Sequence, residues 1–390
     1  MKLVPLKALG SIYTGNTPSK KERKFYEAKD IPFIKPDIIS DSKLSEITHT
    51  EEYISNLARN NARIIPKNSI LVTCIGSIGK IGITGPGEYA FNQQINAIVP
   101  NAGINVRYLA YCLLFNKKKL CEIANNAVVP IINKKQFSDF CVSINPDIKV
   151  QKDIVRTLDI LACIIKHRQS QLAKLDELVK CRFVELFGDP ILNEKKWITK
   201  PVKELTTKVG SGATPKGGDS SYKDSGISLI RSLNVHNNIF KTKELAHIDN
   251  EQANQLSNVT IQSGDVLLNI TGASVARCCI VPDDILPARV NQHVCIIRCN
   301  DMLNPLFLER LLTSDNYQTY LWNVAEGGGG TRQALTKQQI ENVSIITPPI
   351  TLQATFATFV SRIDKLRFVI QQSLDEAQKL FDSLMQKYFD

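Results

Sequence analysis

The chain has 390 residues, 43% of them hydrophobic and 22% charged, with 48 Lys and Arg against 38 Asp and Glu. This composition excludes a disordered protein, and the length is enough for two or more domains. No run approaches the ~18 to 20 apolar residues of a membrane span and the start lacks the apolar core of a secretory signal, so a cytoplasmic protein is expected.

The net charge of +10 suggests a polyanionic partner, and its distribution is uneven. Residues 1–190 carry 27 Lys and Arg against 18 Asp and Glu, whereas residues 191–390 carry 21 against 20. If both halves bind nucleic acid, the second half must therefore concentrate its basic residues locally.

The first segment alternates short strands and short helices, which favours an α+β domain. A turn-like Gly-x-Thr-Pro at Gly15 is followed by the basic residues Lys20 and Lys21. Strands are predicted at residues 31–34, ending on Lys35, at residues 70–75, followed by a turn to Lys80, and at residues 95–99, entered through Asn92 and Gln93. A short helix is predicted at residues 106–115.

A long helix follows at residues 151–187, with apolar residues in steps of four and three. Eight of its ten seam positions are apolar, and Arg168 lies near its middle. The seam includes Ile154, Leu158, Leu161, Ile165, Leu172 and Leu175. Such a seam predicts packing against a second long helix.

The rest of the chain repeats these landmarks at offsets of 196 to 203 residues. Gly212 corresponds to Gly15, Arg231 to Lys35, Arg277 to Lys80, and Asn291 with Gln292 to Asn92 with Gln93. A second heptad helix follows at a constant offset of 202, with Arg367 near its middle, and its seam includes Phe356, Val360, Ile363, Ile370, Leu374 and Leu384. The chain is therefore predicted to be a tandem duplication.

The predicted domains follow from this repeat. They are a first globular domain at 1–149, a long helix at 150–188, a linker at 189–196, a second globular domain at 197–350 and a C-terminal long helix at 351–390. Two equivalent helices paired antiparallel would create a pseudo-twofold axis within one chain. The seam arginines Arg168 and Arg367 either extend to solvent or fix the register of the pair or bind a partner.

A recurring set of Lys, Arg, Asn and Gln at strand ends and turns gives the candidate DNA contacts. Cations neutralise phosphates or bind guanine, and amides bind adenine in the major groove. The candidates are Lys20, Lys21, Lys35, Lys80, Asn92, Gln93, Lys216, Arg231, Asn234, Arg277, Asn291, Gln292 and Arg332. In the alternative interpretation, Asn92 and Asn291 tie loops to backbone groups.

Signatures of enzyme chemistry are sparse. The ten cysteines contain no C-x-x-C pair, which favours free thiols in a reducing compartment. Cys295, Cys299 and His293 lack a second ligand pair, so no metal site is expected. No catalytic constellation is found.

The arrangement resembles the specificity subunit of type I restriction-modification systems. The resemblance covers essentially the whole chain and rests on the duplicated Gly-x-Thr-Pro turns, the strands that follow them, and the approaches to the long helices. These approaches run from Asn145 and Pro146 to Gln151 and from Pro348 and Pro349 to Gln353.

The resemblance implies a non-catalytic, sequence-specific DNA-binding subunit. Each target-recognition domain would recognise one half of a bipartite, asymmetric double-stranded target, and the helices would set the spacer. Each helix of ~37 residues would span about 55 Å, longer than one DNA turn of about 34 to 36 Å.

The resemblance also implies partner subunits. Two methyltransferase subunits would dock on the helices to methylate adenines, and restriction subunits would join to translocate and cleave DNA. S-adenosylmethionine, ATP and Mg would be bound by those partners and not by this chain. The alternatives are a coiled-coil scaffold or adaptor without DNA specificity, and a self-sufficient DNA-modifying enzyme, against which the missing cofactor motif argues.

Overall fold

The computed structural model describes residues 1–125, 128–215, 217–327 and 333–390. The chain divides into two compact units, Met1–Gln169 with Gln371–Asp390 and Ser170–Ile370. Each unit therefore contains part of both long helices. The five predicted domain limits, which give each helix a segment of its own, stay predictions. In the described ranges, no helix is both long and apolar enough to cross a membrane.

The strands and helices of the first half of the chain are short except for the last helix. The strands are β1 (Lys2–Pro5), β2 (Gly10–Thr14), β3 (Ile31–Ile34), β4 (Ser45–Ile47), β5 (Glu52–Ile54), β6 (Ile64–Pro66), β7 (Ile70–Thr73), β8 (Ile81–Thr84), β9 (Glu88–Phe91), β10 (Ile95–Pro100) and β11 (Cys141–Ile144). The helices are α1 (Leu6–Leu9), α2 (Val106–Phe115), α3 (Lys117–Glu122), α4 (Lys134–Asp139) and α5 (Ile148–Phe187).

The strands of the first half form two main sheets. One has the order β2-β10-β7-β8-β4 and the other β5-β3-β9-β6, and β1 pairs with β11. The pairs β3–β9 and β4–β8 are parallel, and the remaining pairs are antiparallel. The near-continuous apolar runs of β7 and β8 are buried on both faces, as their Ile and Val content predicts.

The second half repeats this series of elements. Its strands are β12 (Thr199–Pro201), β13 (Thr206–Ser211), β14 (Ile227–Ile230), β15 (Val235–His236), β16 (Ile239–Phe240), β17 (Ala246–Ile248), β18 (Val266–Asn269), β19 (Cys278–Ile280), β20 (Ala288–Val290), β21 (Val294–Cys299) and β22 (Ser344–Ile346). Its helices are α6 (Asn250–Gln255), α7 (Pro305–Leu312), α8 (Asp315–Glu326), α9 (Lys337–Asn342) and α10 (Ile350–Phe389).

The sheet topology of the second half matches that of the first. The sheet β13-β21-β18-β19 corresponds to β2-β10-β7-β8, the sheet β17-β14-β20 corresponds to β5-β3-β9, and β12 pairs with β22 as β1 does with β11. Strand β14 pairs with β20 in parallel, the arrangement found between β3 and β9. The predicted tandem repeat in an α+β fold is therefore confirmed.

The predicted elements lie close to the observed ones. The strand at 31–34 and the helix at 106–115 have the predicted limits. The strand at 70–75 ends at Thr73, because the chain turns there and Ile75 makes only an isolated bridge to Ile131. The long helix begins three residues earlier than predicted, at Ile148.

The two long helices pack antiparallel in each unit. In the first unit Ile154 and Leu158 of α5 share a core with Phe389 of α10. In the second unit Phe187 of α5 packs on Phe356 of α10, with ring centroids 5.4 Å apart. All twelve predicted seam residues are buried or half-buried, and complete burial of a leucine or phenylalanine contributes about 1.5 to 3 kcal/mol.

The seam arginine Arg367 is held between the two helices of the second unit. Its guanidinium donates to Asp364 on its own helix at 3.0 Å and pairs with Asp176 on α5. This contact fits the register interpretation, because the ion pair joins one position of α10 to one position of α5. Arg168 is half-buried.

A buried glutamine in the first turns of each long helix fastens that helix to its globular domain. The Gln151 side chain accepts a hydrogen bond from the backbone amide of Asn105 at 2.8 Å and donates to the backbone carbonyl of Asn145 at 2.7 Å. Gln353 accepts from the Asn304 amide at 2.9 Å and donates to the Pro348 carbonyl at 2.8 Å. Asn105 and Asn304 also cap α2 and α7, so each glutamine joins three elements.

The glycine of each Gly-x-Thr-Pro turn allows a close approach between backbones. Gly15 donates to the Ile95 carbonyl at 3.1 Å, and Gly212 donates to the Asn291 carbonyl at the same distance. A Cβ atom on Gly15 would clash with the Asn92 oxygen, and one on Gly212 with the Val290 oxygen. Only glycine fits there without a backbone shift.

We expect Gln353→Ala to lower the free energy of unfolding by about 1 to 3 kcal/mol, because it leaves buried backbone groups without partners. Urea denaturation followed by circular dichroism measures the effect. The control is Gln372→Ala on the exposed face of α10, which should change stability by less than about 0.5 kcal/mol. Equal effects of the two substitutions would contradict the fastening role of Gln353.

We also expect Gly212→Ala to destabilise the protein by about 1 to 3 kcal/mol, because the backbone oxygen of Val290 must move. Gly210→Ala, two residues earlier in β13, is the matched control, since a Cβ there meets nothing within 4 Å. The two urea unfolding midpoints should differ clearly. A Gly212→Ala midpoint as high as that of the control would show that the turn can relax.

Candidate nucleic-acid interface

In each unit the fold gathers the duplicated landmarks at one edge of a sheet. The parallel strands β3 and β9 end together, and the backbone amide of Asn92 donates to the Ile34 carbonyl at 3.1 Å. Strands β14 and β20 end in the same way, with the Asn291 amide donating to Ile230 at 3.0 Å. The cations that follow β3 and β14 therefore lie beside the Asn-Gln turns.

The Gly-x-Thr-Pro turn closes against the Asn-Gln turn in both units. Thr17 donates its hydroxyl to the Gln93 side-chain oxygen at 2.8 Å, and Thr214 makes the same contact with Gln292. Gln93 and Gln292 are exposed, and the amide group of Gln292 also contacts His293 at 3.1 Å. Each glutamine is thus oriented while its side chain stays accessible to a ligand.

Three of the asparagines proposed as DNA contacts are buried, and their contact with DNA stays a prediction. Asn92 is 6% exposed and bonds Gln94, and Asn291 is 5% exposed and accepts from the His293 amide at 3.0 Å. Asn234 is fully buried and donates to the Lys241 carbonyl at 2.9 Å. The side-chain amides of Asn92 and Asn291 tie turns to backbone groups, which agrees with the alternative interpretation, and the side chain of Asn234 makes contacts of the same kind.

The cations of the first unit are accessible to different degrees. Lys20 and Lys21 lie exposed in a turn. Lys35 is half-buried and forms an ion pair with Glu52, and the Lys80 ammonium lies 3.4 Å from the Pro36 carbonyl. Lys35 and Lys80 therefore converge on the turn after β3. An ion pair so accessible to water contributes only about 0 to 1 kcal/mol, so an anionic ligand can displace it.

The cations of the second unit lie around the end of β14. Arg231 donates to the Glu244 carbonyl at 2.7 Å, and its guanidinium lies 5.3 Å from the centre of the Tyr222 ring. Arg277 follows the turn after β18 and is half-buried. Lys216 and Arg332, also proposed as DNA contacts, lie outside the described residues. Whether any of these cations touches DNA stays a prediction.

Sequence reasoning missed two exposed lysines beside this site, Lys241 and Lys243. Burial lowers the pKa of His236, and the positive charges of Lys241 and Arg277 lower it further. Lys241 and Arg277 thus lie near enough to His236 for their charges to act on it. The signal available in sequence was the local Lys-Thr-Lys run, which has no counterpart at the aligned landmarks of the first unit.

The described residues contain no group of three or more His, Cys, Asp and Glu that could hold a metal ion. Burial raises the pKa of the thiols of Cys74 and Cys295 to about 12. Thiols with so high a pKa are protonated at neutral pH and are poor nucleophiles. The buried positions of Cys74 and Cys295 therefore suit a role in packing and not in catalysis.

Comparison with known families identifies the repeated segment. The family described as "Type I restriction modification DNA specificity domain" matches residues 1–175 and again residues 194–378. These two matches cover both units and most of both long helices. They give no support to a scaffold without DNA specificity.

Three relatives carry related names. A type I restriction enzyme specificity subunit of Haemophilus influenzae is 39% identical over 99 residues, 25% of this chain and 20% of the relative. One of Escherichia coli is 31% identical over 169 residues, 40% of each protein. The MjaX specificity subunit of Methanocaldococcus jannaschii is 23% identical over 388 residues, 91% of this chain and 85% of the relative. The matches to the first two thus span well under two thirds of those proteins.

Two solved structures share the fold. The type I restriction-modification S subunit from M. genitalium aligns with a TM-score of 0.64 at 12% identity, covering 100% of this chain and 96% of that one. A chain from a study of complex assembly and conformational transition of the type I R-M system aligns with a TM-score of 0.57 at 14% identity, covering 99% and 97%. With its two matched segments, this chain belongs to the type I restriction modification DNA specificity domain family.

Proposed function

We propose that this chain is the DNA-recognition subunit of a type I restriction-modification complex, in which each globular domain recognises one half of a bipartite, asymmetric target. The observation that carries the proposal is the duplication of one oriented site. Each unit has a cation at the end of a parallel strand, Lys35 or Arg231, beside an exposed glutamine, Gln93 or Gln292. These side chains suit guanine and adenine in the major groove.

The long helices have two roles in this proposal. Their paired seams set the spacer between half-sites, and their outer faces dock methyltransferase subunits. Helix α10 exposes Leu366, Phe368 and Val369, each more than half accessible, and α5 exposes Ile160 at 53%. Large apolar side chains next to each other on a surface are typical of protein interfaces.

The chemistry then belongs to partner subunits. Methyltransferase subunits bind S-adenosylmethionine and methylate adenines, and restriction subunits use ATP and Mg to translocate and cleave DNA. This chain binds none of these cofactors in the proposal.

We expect Lys35→Ala and Arg231→Ala to relax recognition of opposite half-sites, each by about 1 to 3 kcal/mol of discrimination, because each removes a base-contacting cation from one domain. Modified-base sequencing of a host expressing the chain with its methyltransferase first defines the wild-type target. The same sequencing on each variant then shows which positions lose their preference.

The control for this pair is Lys200→Ala, whose side chain lies on β12. It should leave the methylated motif unchanged. Loss of preference in both half-sites after either single substitution would assign that residue to general phosphate binding or to structure. Absence of any motif from the wild-type host would overturn the proposed function itself.

We expect the double variant Phe368→Asp with Val369→Asp to stop co-purification with the methyltransferase, because two charges would be buried in the interface at about 2 kcal/mol or more per anchoring residue. The unfolding midpoint should stay near wild type, since both side chains are over 60% exposed. Thr355→Asp with Thr358→Asp adds the same charge to exposed positions of α10 and is the control. Unchanged co-purification of the first variant would place the docking surface elsewhere.

A further inference from the structure

The two units differ in the segment that directly follows the cationic strand end. In the first unit, Lys35 leads into a 3-10 turn at Pro36–Ile38, and the chain then forms β4, which pairs with β8. In the second unit, Arg231 leads into the hairpin of β15 and β16, which lies against β19. Because β19 corresponds to β8, the two segments occupy the same place on the same frame. One chain thus presents two different surfaces at its duplicated site.

Buried amides hold the base of this hairpin. Asn234 and Asn269 are both fully buried. Asn234 accepts from the Arg231 amide at 3.0 Å and donates to the Lys241 carbonyl at 2.9 Å, so it joins both ends of the hairpin. Asn269 donates to the Ser232 carbonyl at 2.9 Å. The hairpin is therefore fixed before any ligand arrives, which lowers the entropic cost of binding.

The turn of the hairpin is fixed as well. The Asn237 side-chain oxygen accepts from the Cys278 amide at 3.1 Å. The Asn238 side-chain oxygen accepts from the Thr313 hydroxyl at 2.8 Å, and Asn238 has a positive φ of 60°, a conformation that asparagine tolerates. These contacts hold the turn against β19 and the end of α7.

Positive charge is concentrated at the hairpin, although the second half of the chain has almost no net charge. Residues 191–390 carry only one more basic than acidic residue. Yet Lys241 and Lys243 are exposed at the hairpin base, and the charges of Lys241 and Arg277 reach His236 within it. In the first unit, the corresponding segment holds one exposed lysine, Lys43, together with Asp41, which is paired with Lys117. A polyanion is thus the ligand that this local cluster fits.

Two apolar side chains are accessible beside the polar turn of the hairpin. Ile239 is 54% exposed and Leu233, just before the hairpin, is 38% exposed. A two-stranded β-ribbon fits the major groove of B-form DNA, where an apolar side chain contacts the thymine methyl group. Cations at the base of the ribbon would then face the phosphates on either side.

We propose that the hairpin of β15 and β16 is the major-groove reading element of the second unit. Ile239 contacts a base edge of one half-site, and Lys241, Lys243 and Arg277 bind the flanking phosphates. The first unit reads its own half-site without such a ribbon. This inference rests on the proposed function, since it assigns the DNA-contacting segment of that same site.

Two variants of the full chain, each purified with its methyltransferase, separate the two kinds of contact. Lys241→Gln with Lys243→Gln should weaken binding to the target about tenfold or more. It should also lower the slope of log K against log salt by about 2 if both phosphate contacts are lost. Fluorescence anisotropy with labelled duplexes measures both quantities. The control is Lys200→Gln with Lys203→Gln, which removes the same charge from β12 and the turn after it.

Ile239→Asn tests base contact. This exposed position tolerates the change, so the unfolding midpoint should match wild type, while modified-base sequencing should show an altered or relaxed preference in one half-site only. An unchanged motif for Ile239→Asn, or a lysine variant whose affinity and salt slope equal those of its control, would overturn the hairpin assignment.

The result also separates this inference from the function on which it rests. If the wild-type complex binds its methylated motif no better than random duplexes, the proposed function fails and the hairpin proposal with it. If the wild type is specific and both hairpin variants match it, only the hairpin proposal fails.

Discussion

The buried glutamine near the start of each long helix is the contact on which the architecture depends. Gln151 and Gln353 each accept a hydrogen bond from the backbone amide of a helix-capping asparagine. Each also donates to a backbone carbonyl of the segment that leads into the long helix. A buried amide that loses either partner costs free energy, so its geometry is strictly defined. The long helix is therefore a part of its globular domain and not a tether attached to it.

This attachment limits how far the two antiparallel helices can slide along each other. In each unit the beginning of one helix packs on the end of the other, and Arg367 bridges the seam of the second unit through Asp176. An apolar seam alone tolerates sliding by a heptad, because one leucine layer resembles the next. The contact of Arg367 with Asp176 and the two fastened helix starts favour one alignment over the others.

The two units use one frame for different surfaces. Glycines at the close approaches, threonine to glutamine bonds, and buried asparagines in the turns recur in both. The side chains around that frame diverge, with an ion-paired Lys35 in one unit and a basic hairpin in the other. The buried asparagines make their hydrogen bonds within the turns. The exposed positions around them can therefore vary without loss of the fold.

The sequence by itself determined the repeat, the seams and the strand ends, because periodicity and glycine requirements are local properties of the chain. It could not decide between the two roles of Asn92 and Asn291, and it gave no sign that Asn234 would be buried, since an amide suits a base and a backbone turn equally well. Only the tertiary structure buried these asparagines and brought Arg277 close to His236 and Lys241 of the hairpin. The burial of the asparagines and the approach of Arg277 to the hairpin depend on strands that are distant in sequence but paired in space. The residues of a strand do not by themselves specify its pairing partner.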